Sequence, residues 1–575
     1  MFLEPYRLHP SLPALALVLL FLAPAATAAA GNSPPPSWSR FVASFIDGHF
    51  QRHPSAAVQA GRHEFDGRLP DWRAPALEET RQWLEESRSR AEAYDETGLT
   101  ESERFERRYL IAVVRRELFW LQAVDRPHRS PLYYSEALDP NVYVSRPYAP
   151  AEQRLEAFIR YARGVPEAAR QIRENLKPPL PRTFLDVGQT LFGGLAKFYG
   201  ADTSAAFAGE SDRKLQHRLA AAQKPAAKAM TELAEWLEGQ RAAATDDFAL
   251  GPELFRAMLQ ETEDVDLPLD ILEQAGRKDL ERNTEALRQE CGRYAPAASL
   301  ADCVGRVTRQ KPPEGAVREA GRQLETLKRF VESQDLVTIP AGDGAAVAET
   351  PPHKRWNSAY IDIPGPYERD LPAVYYVAPP DPAWSAAEQS AYIPATASLL
   401  FISAHEVWPG HFLQHLHSAR AASKFGQLFG SYGYSEGWAH YSEELMWEAG
   451  LHQGDAEIHI GQLLNALLRD VRFLCAIGLH TRGMTLAAAE QMFRERAYSD
   501  PASARQQAAR GTFDPAYLNY TLGKLMIRKL REDWTALRGG RSAWRAFHDR
   551  FLSFGAPPIP LVRRAMLPGD KGTGL

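Results

Sequence analysis

Apolar residues recur at every third and fourth position from Pro36 to about Val337, the period of amphipathic helices rather than strands. The pattern predicts helices over Trp38–Phe50, Leu77–Tyr94, Thr100–Asp125, Ala151–Leu176, Ala205–Gly239, Leu269–Cys291 and Gly315–Ser333. Proline-rich breaks separate some of them, at Lys177-Pro178-Pro179-Leu180-Pro181 and at Lys311-Pro312-Pro313. The pattern then changes. From Val337 to Pro382 the chain is rich in proline and aromatics, and Ala359–Ile363 and Ala373–Val377 carry the alternating β-branched and aromatic character of strands. Helical periodicity resumes at Trp384 and continues to the end. The reading is a mainly α protein with a small hairpin or sheet. It divides into an N-terminal helical region over 31–337 and a second region over 338–575, with the sheet in 338–382.

The first 30 residues read differently. Arg7 precedes an apolar run from Ala14 to Ala23, Pro24 breaks it, and the small residues Ala26-Thr27-Ala28-Ala29-Ala30 suit signal peptidase. The run is short for a bilayer span. The expectation is an exported protein, periplasmic or extracellular, with no membrane attachment after cleavage. A net charge of -5 gives no electrostatic reason to expect nucleic acid or an anionic membrane as partner. In an oxidising compartment Cys291 and Cys303, 12 apart, are placed either to form a disulfide or to remain two buried thiols; Cys475 lies in the apolar run VRFLCAIGL and reads as core.

The candidate chemistry lies after the strands. The stretch SAHEVWPGHFLQH begins like a zinc-protease helix, with His405 followed by Glu406, but the place of the second histidine holds Pro409 and the next histidine is His411. Histidines at i and i+4 lie about 40° apart on a helix, whereas at i and i+6 they are about 120° apart and roughly 9 Å displaced along the axis. A straight helix therefore cannot bring His405 and His411 to one ion. Pro409 cannot donate to the carbonyl of His405, and Gly410 relaxes the backbone beside it, so an insertion here can widen the turn. A second segment, GYSEGWAHYSEELMWEAG, places Glu436, His440 and Glu443 on one helical face. Two ligand sets follow. One is His405, His411 and Glu436. The other is His405, Glu436 and His440, which needs no bent helix.

These two segments, His405-Glu406-Val407-Trp408-Pro409-Gly410-His411 and Glu436-Gly437-Trp438-Ala439-His440-Tyr441-Ser442-Glu443, resemble the paired motifs of the bacterial family catalogued as domain of unknown function 885. The likeness extends over the mature chain, through PSAAVQAGRHEFDGRLPDW near the start and Gly478-Leu479-His480 and RGTFDPAYLNYTLGKL near the end. Many members carry an aspartate shortly before the Gly-Leu-His, and Cys475-Ala476-Ile477 has none. The family in turn resembles helical zinc metallopeptidases with a zincin-like architecture and a groove between helical halves. The resemblance implies one zinc per chain and hydrolysis of short peptides. A zinc amidase acting on a cell-wall or γ-glutamyl amide, and a non-catalytic peptide- or metal-binding protein, are the other readings.

Chemistry assigns the expected roles. Zinc hydrolysis needs three protein ligands, an open position and a base. Glu406 is the expected general base and Glu443 the residue that orients a ligand from behind. His480 and Tyr520 are the candidate donors to the carbonyl oxygen as it turns negative. Arg469, Arg472 and Lys524 are candidates to hold a substrate carboxylate, and the strand Ala373–Val377 to pair with an extended peptide through its edge.

Overall fold

The computed structural model describes residues 37–342, 344–351, 359–368, 371–570 and 574–575; the expected signal segment lies outside them. The described chain is mainly helical with one small sheet. Two hydrophobic cores organise it. The first joins the helices Trp38–Arg52, Ala74–Glu92, Glu101–Leu118, Ala151–Asn175, Arg182–Lys197 and Arg213–Gly239. Their sequences explain their bounds. Thr100 and Glu103 form a reciprocal capping box, and the Asp212 carboxylate accepts from the backbone of Lys214 and Leu215. Within Ala151–Asn175 the buried positions Leu155, Phe158, Ile159, Ala162, Val165, Ala169 and Ile172 follow the helical repeat as one stripe. A fully buried side chain of the Phe158 kind contributes about 1.5–3 kcal/mol.

The second core takes the rest, and it does not begin at 337. Phe255, Leu259, Leu272, Leu280, Leu287, Leu324 and Leu327 belong to the same apolar cluster as Leu400, Trp438, Leu467, Phe473 and Leu530. The helix Leu269–Tyr294 packs along Ala456–Thr481, the most extensive helix pair in the molecule. The two cores do not follow the boundary at 337: residues on both sides of it share the second core, which also takes in Phe119 and Val124, while Phe425, Phe429 and Leu561 belong to the first. The composition shift at Val337 marks a local change from helix to strand, and local composition does not report which helices share a core. The Cys291–Cys303 disulfide lies within this second unit, with Cα atoms 5.8 Å apart. It joins Leu269–Tyr294 to the helix Leu300–Thr308. Cys475 is a free, buried thiol. Among the described residues no helix is long and apolar enough to cross a membrane.

The sheet has three strands, β1 (Ala346–Glu349), β2 (Ala359–Asp362) and β3 (Val374–Val377), in the order β1-β3-β2. β2 pairs antiparallel with β3, and Tyr360 stacks on its partner Tyr376 at 5.1 Å. β1 pairs parallel with β3 in the register Ala346↔Val374. The expected strand pair is present, but β3 is the central strand. Both its edges are hydrogen-bonded, so it offers no edge to a peptide, which corrects that expectation. What β3 does supply is Tyr375, whose hydroxyl lies 3.5 Å from Ser403 Oγ on the helix that carries His405.

Candidate metal centre

The ligand helix does not bend; it stops and restarts. One helix runs Thr396–Glu406 and the next His411–Ser418. Between them Val407 leaves helical geometry at φ -125 and ψ -72, the Trp408–Pro409 peptide is cis, and the Gly410 N–H donates back to Ala404 O at 2.9 Å. The widened turn expected from the sequence is therefore a break between two helices. Gly410 is required there. A Cβ on it would lie 1.8 Å from the carbonyl oxygen of His405. Trp438 of the second motif pins the break from outside, its Nε1 donating to Pro409 O at 2.8 Å.

The helix Tyr432–Glu448 carries that tryptophan and also Glu436. It crosses Asn519–Ala536 where Gly433 and Gly437 meet Gly523 backbone to backbone; a Cβ on Gly523 would lie 2.0 Å from Gly433 O. This close crossing brings Glu436 and Tyr520 to the same place.

The result is a convergence of three side chains. His405 Nε2 lies 3.2 Å and His411 Nε2 3.5 Å from Glu436 Oε2, and all three atoms lie within 4.8 Å of one another. A tetrahedral centre with bonds of about 2.1 Å has ligand–ligand edges of about 3.4 Å. Despite its proximity to both imidazoles, Glu436 Oε2 has no aligned hydrogen bond. The three atoms thus stand within reach of one shared ion without satisfying one another. On the far side of His405, Nδ1 sits 2.8 Å from Glu443 Oε1, and Glu443 is held 3.0 Å from Arg469. A carboxylate that accepts the Nδ1–H hydrogen bond holds the ring proton at Nδ1 and leaves the Nε2 lone pair for a metal, the arrangement metal-binding histidines use. These residues fit a zinc ion: two imidazoles, one carboxylate and a carboxylate behind a ligand. His440 does not join them. It is fully buried, and its Nδ1 lies 3.7 Å from Glu443 Oε1. The second ligand set thus lacks its third member.

Electrostatics follow the same layout. Burial opposes charge on Glu436, but His411 and His405 outweigh it and hold the carboxyl well below its usual range. For Glu443 too, burial is outweighed, by Arg469 and His405, and the carboxyl is held low. Glu406 is displaced the other way: burial raises it, and the neighbouring imidazoles offset only part. A carboxyl beside this His/Glu cluster, with a raised pKa and partial exposure, is placed to exchange protons. The cluster is reachable, since the side chains of His411 and Glu436 remain 20% and 21% exposed.

Of the two candidate carbonyl-oxygen donors, the structure separates one from the other. Tyr520 stacks on His405 with ring centroids 6.2 Å apart, and burial and the Glu436 charge raise its pKa, so the hydroxyl keeps its proton. His480 is spent on the backbone. Leu250 N–H donates to its Nδ1 at 3.2 Å, Nε2 lies 2.8 Å from Gly511 O, and Phe255 stacks on the ring. With both nitrogens engaged it has nothing to offer a substrate, and the expectation for it is corrected. These backbone partners also give His480 its support without the aspartate that other members carry.

The three candidate carboxylate holders separate as well. Lys524 is fully buried and bound to Asp279 and Glu444, and Arg469 is taken by Glu443. Arg472 has no carboxylate partner among the described residues. Sequence reasoning did not single out Arg510, Tyr432 or Tyr517, which stand around Tyr520 and Arg472; the signal available was the RGTFDPAYLNY stretch, whose role had no assignment.

Comparison with known proteins places this site in a family. No curated protein matches the chain. A solved structure of a candidate lipoprotein of unknown function from Shewanella oneidensis superimposes with a TM-score of 0.76 at 22% identity, over 92% of this chain and 100% of that one. A candidate lipoprotein from Colwellia psychrerythraea does so with 0.75 at 16% identity, over 92% and 98%. At those identities the likeness is one of fold. The family described as bacterial protein of unknown function (DUF885) matches residues 54–566, nearly the whole chain, and the protein belongs to it.

Proposed function

We propose that the protein is an exported, zinc-dependent peptidase acting on short peptides. The observation that carries the reading is the convergence of His405 Nε2, His411 Nε2 and Glu436 Oε2, with His405 oriented from behind by Glu443. One zinc per chain held by these three side chains would supply Lewis acidity, polarising a carbonyl and making water a stronger acid. Glu406 accepts the proton of the attacking water as its oxygen bonds to the carbonyl carbon. It returns that proton to the nitrogen as the C–N bond breaks. Its burial favours this exchange, since a raised pKa brings the carboxyl closer to the pH at which the reaction runs. Tyr520, lying on His405, donates to the carbonyl oxygen as negative charge develops. Export is supported by the Cys291–Cys303 disulfide and by the lipoprotein descriptions of the two similar structures.

The test is elemental analysis of the purified protein beside the His405→Ala variant, followed by a peptide screen. About one zinc per chain, lost in the variant, together with peptide hydrolysis abolished by Glu406→Gln, is the expected outcome. Zinc without hydrolysis of any peptide, but with release of amine from γ-glutamyl or cell-wall amides, would move the assignment to an amidase. Zinc without any hydrolysis would make it a binding protein, and no zinc in either protein would remove the reading.

A further inference from the structure

Three guanidinium groups surround the ring of Tyr520: Arg472 at 5.0 Å, Arg469 at 5.7 Å and Arg510 at 5.9 Å from its centroid. Two are neutralised. Arg469 pairs with Glu443 at 3.0 Å and Arg510 with Asp514 at 2.9 Å, and Arg510 also donates to the Tyr432 hydroxyl. Arg472 is not. It is 8% exposed, and its one hydrogen bond among the described residues runs from Nε to Gln507 Oε1 at 2.8 Å. Among the described residues its two terminal nitrogens have no hydrogen-bond or ion-pair partner. A buried arginine without a counter-ion is costly, and two more cations stand beside it. Tyr517 adds a second unfilled group. Its hydroxyl is fully buried, has no hydrogen-bond partner, and lies close enough to feel the charge of Arg472. Gln507, Arg510, Tyr517 and Tyr520 all come from one stretch of chain, 507–520, which lies against the helix that carries Arg469 and Arg472.

The position of this group of side chains matters as much as its charge. Tyr520 touches both Arg472 and His405, so the guanidinium and the His405 ring are separated by about 11 Å at most. An extended peptide advances about 3.3–3.6 Å per residue. Once a carboxylate–guanidinium contact of up to about 4 Å is subtracted, the remaining span admits at most about two residues between a carbonyl at the His405 cluster and a carboxylate on Arg472.

We propose that Arg472 receives the free α-carboxylate of the substrate, one or two residues beyond the scissile bond, so that the enzyme removes residues from peptide C-termini. The inference rests on the peptidase reading. Arg472 is suited to the task because a planar guanidinium with two free terminal nitrogens matches a carboxylate in a two-bond fork. Arg510 and the Tyr517 hydroxyl add favourable charge and a donor beside it. The pocket also implies discrimination: a C-terminal amide brings no charge and leaves Arg472 unpaired.

Two measurements on the zinc-loaded protein test this, one of which needs no turnover. In the first, binding of N-acetyl-Ala-Ala and of its C-terminal amide is followed by calorimetry. The carboxylate should bind at least tenfold more tightly than the amide. Arg472→Gln should erase that preference, and Arg472→Lys should restore it in part. In the second, hydrolysis of blocked tripeptides with free and amidated C-termini is compared. Free carboxylates should be preferred at least a hundredfold in kcat/KM, and Arg472→Gln should lower that ratio to near one with its zinc content unchanged. Equal binding of acid and amide, no binding of either, or a preference that survives Arg472→Gln would overturn the proposal. Carboxylate binding that depends on Arg472, with no hydrolysis of any peptide, would instead leave the pocket standing and remove the peptidase reading.

Discussion

The same three helices build two buried charged clusters back to back, and the clusters differ in whether their charges balance. Glu443, Arg469 and Tyr520 face the His405 side. Glu444, Asp470 and Lys524, from the same three helices, form the other cluster. In that second cluster every group is matched. Lys524 binds Asp279 and Glu444; Arg282 holds Glu444 through both terminal nitrogens at 2.7 and 2.9 Å; Arg528 reaches it at 3.0 Å. Asp470 accepts from Asn283 and Thr521, and burial together with Asp279 raises its pKa, so that it stays protonated and adds no unmatched charge. On the His405 side the matching stops short. Glu436 Oε2 and the Tyr517 hydroxyl lack hydrogen bonds, and Arg472 lacks a carboxylate. A closed set of buried charges fixes helices against one another, and an open set is where a ligand is needed to complete it.

Stability measurements break this comparison most directly. Removing one member of a closed buried set leaves its partner charged and unsolvated. Lys524→Met should therefore cost about 3–5 kcal/mol. Removing an arginine that has no partner relieves a cost, so Arg472→Met should change stability by less than about 1 kcal/mol, or raise it. Denaturant midpoints at constant slope would show the contrast. Equal losses in the two variants would mean that Arg472 is as structural as Lys524, and the distinction between the clusters would fall.

A smaller effect sharpens the comparison inside the open cluster. Glu443 belongs to the protein's own framework but serves it through His405 Nδ1. Replacing it by Gln keeps an acceptor and removes the charge. Zinc affinity, measured by chelator competition, should fall about 10–100-fold, while His440→Ala, on the same helix, should leave it within a few-fold. A loss as large in His440→Ala would return His440 to the ligand set.

The sequence made the helices and the metal motifs legible for the same reason: both are local patterns. The stripe in Ala151–Asn175 and the sequences around His405 and Glu436 need no distant partner to be read. The helices Arg182–Lys197 and Gly251–Glu263 were not anticipated. The first carries Gly188, Gly193 and Gly194, which weaken helical propensity, and tertiary packing, above all against Arg213–Gly239, secures it. β1 is built from Ala346-Val347-Ala348-Glu349, residues with little strand character, and exists because β3 offers it an edge. The arginines were the least legible. Arg469, Arg472 and Lys524 look alike along the chain, and what sorts them is Glu443, Asp279 and the absence of any carboxylate at Arg472, all matters of tertiary packing. His480 illustrates the opposite error: a short motif suggested chemistry, and two backbone groups distant in sequence had already taken its nitrogens.

The smallest expected effect concerns a third charged group, closed like the Lys524 cluster but partly exposed at His63. His63 lies 3.1 Å from both Asp66 and Glu368 and stacks on Tyr148 at 3.6 Å. Arg146 ties the same Glu368 to Asp362 of β2, at 3.0 and 2.7 Å, so the group fastens the first core to the sheet beside the ligand helix. Burial lowers the His63 pKa, but Asp66 and Glu368 outweigh it and raise it to about 9. The folded value thus exceeds the unfolded one, near 6.5. The stabilisation is fully present below about pH 6.5 and is lost as pH rises through about 9. Because the imidazole is a quarter exposed, screening reduces the shift to a contribution of about 1 kcal/mol, well below that expected for Lys524. Unfolding midpoints measured from pH 6 to 9.5 should fall in the native protein and be flatter by about that amount in His63→Gln. An identical slope in both would show that exposure, even within a closed set of charges, leaves nothing for the pairing to contribute.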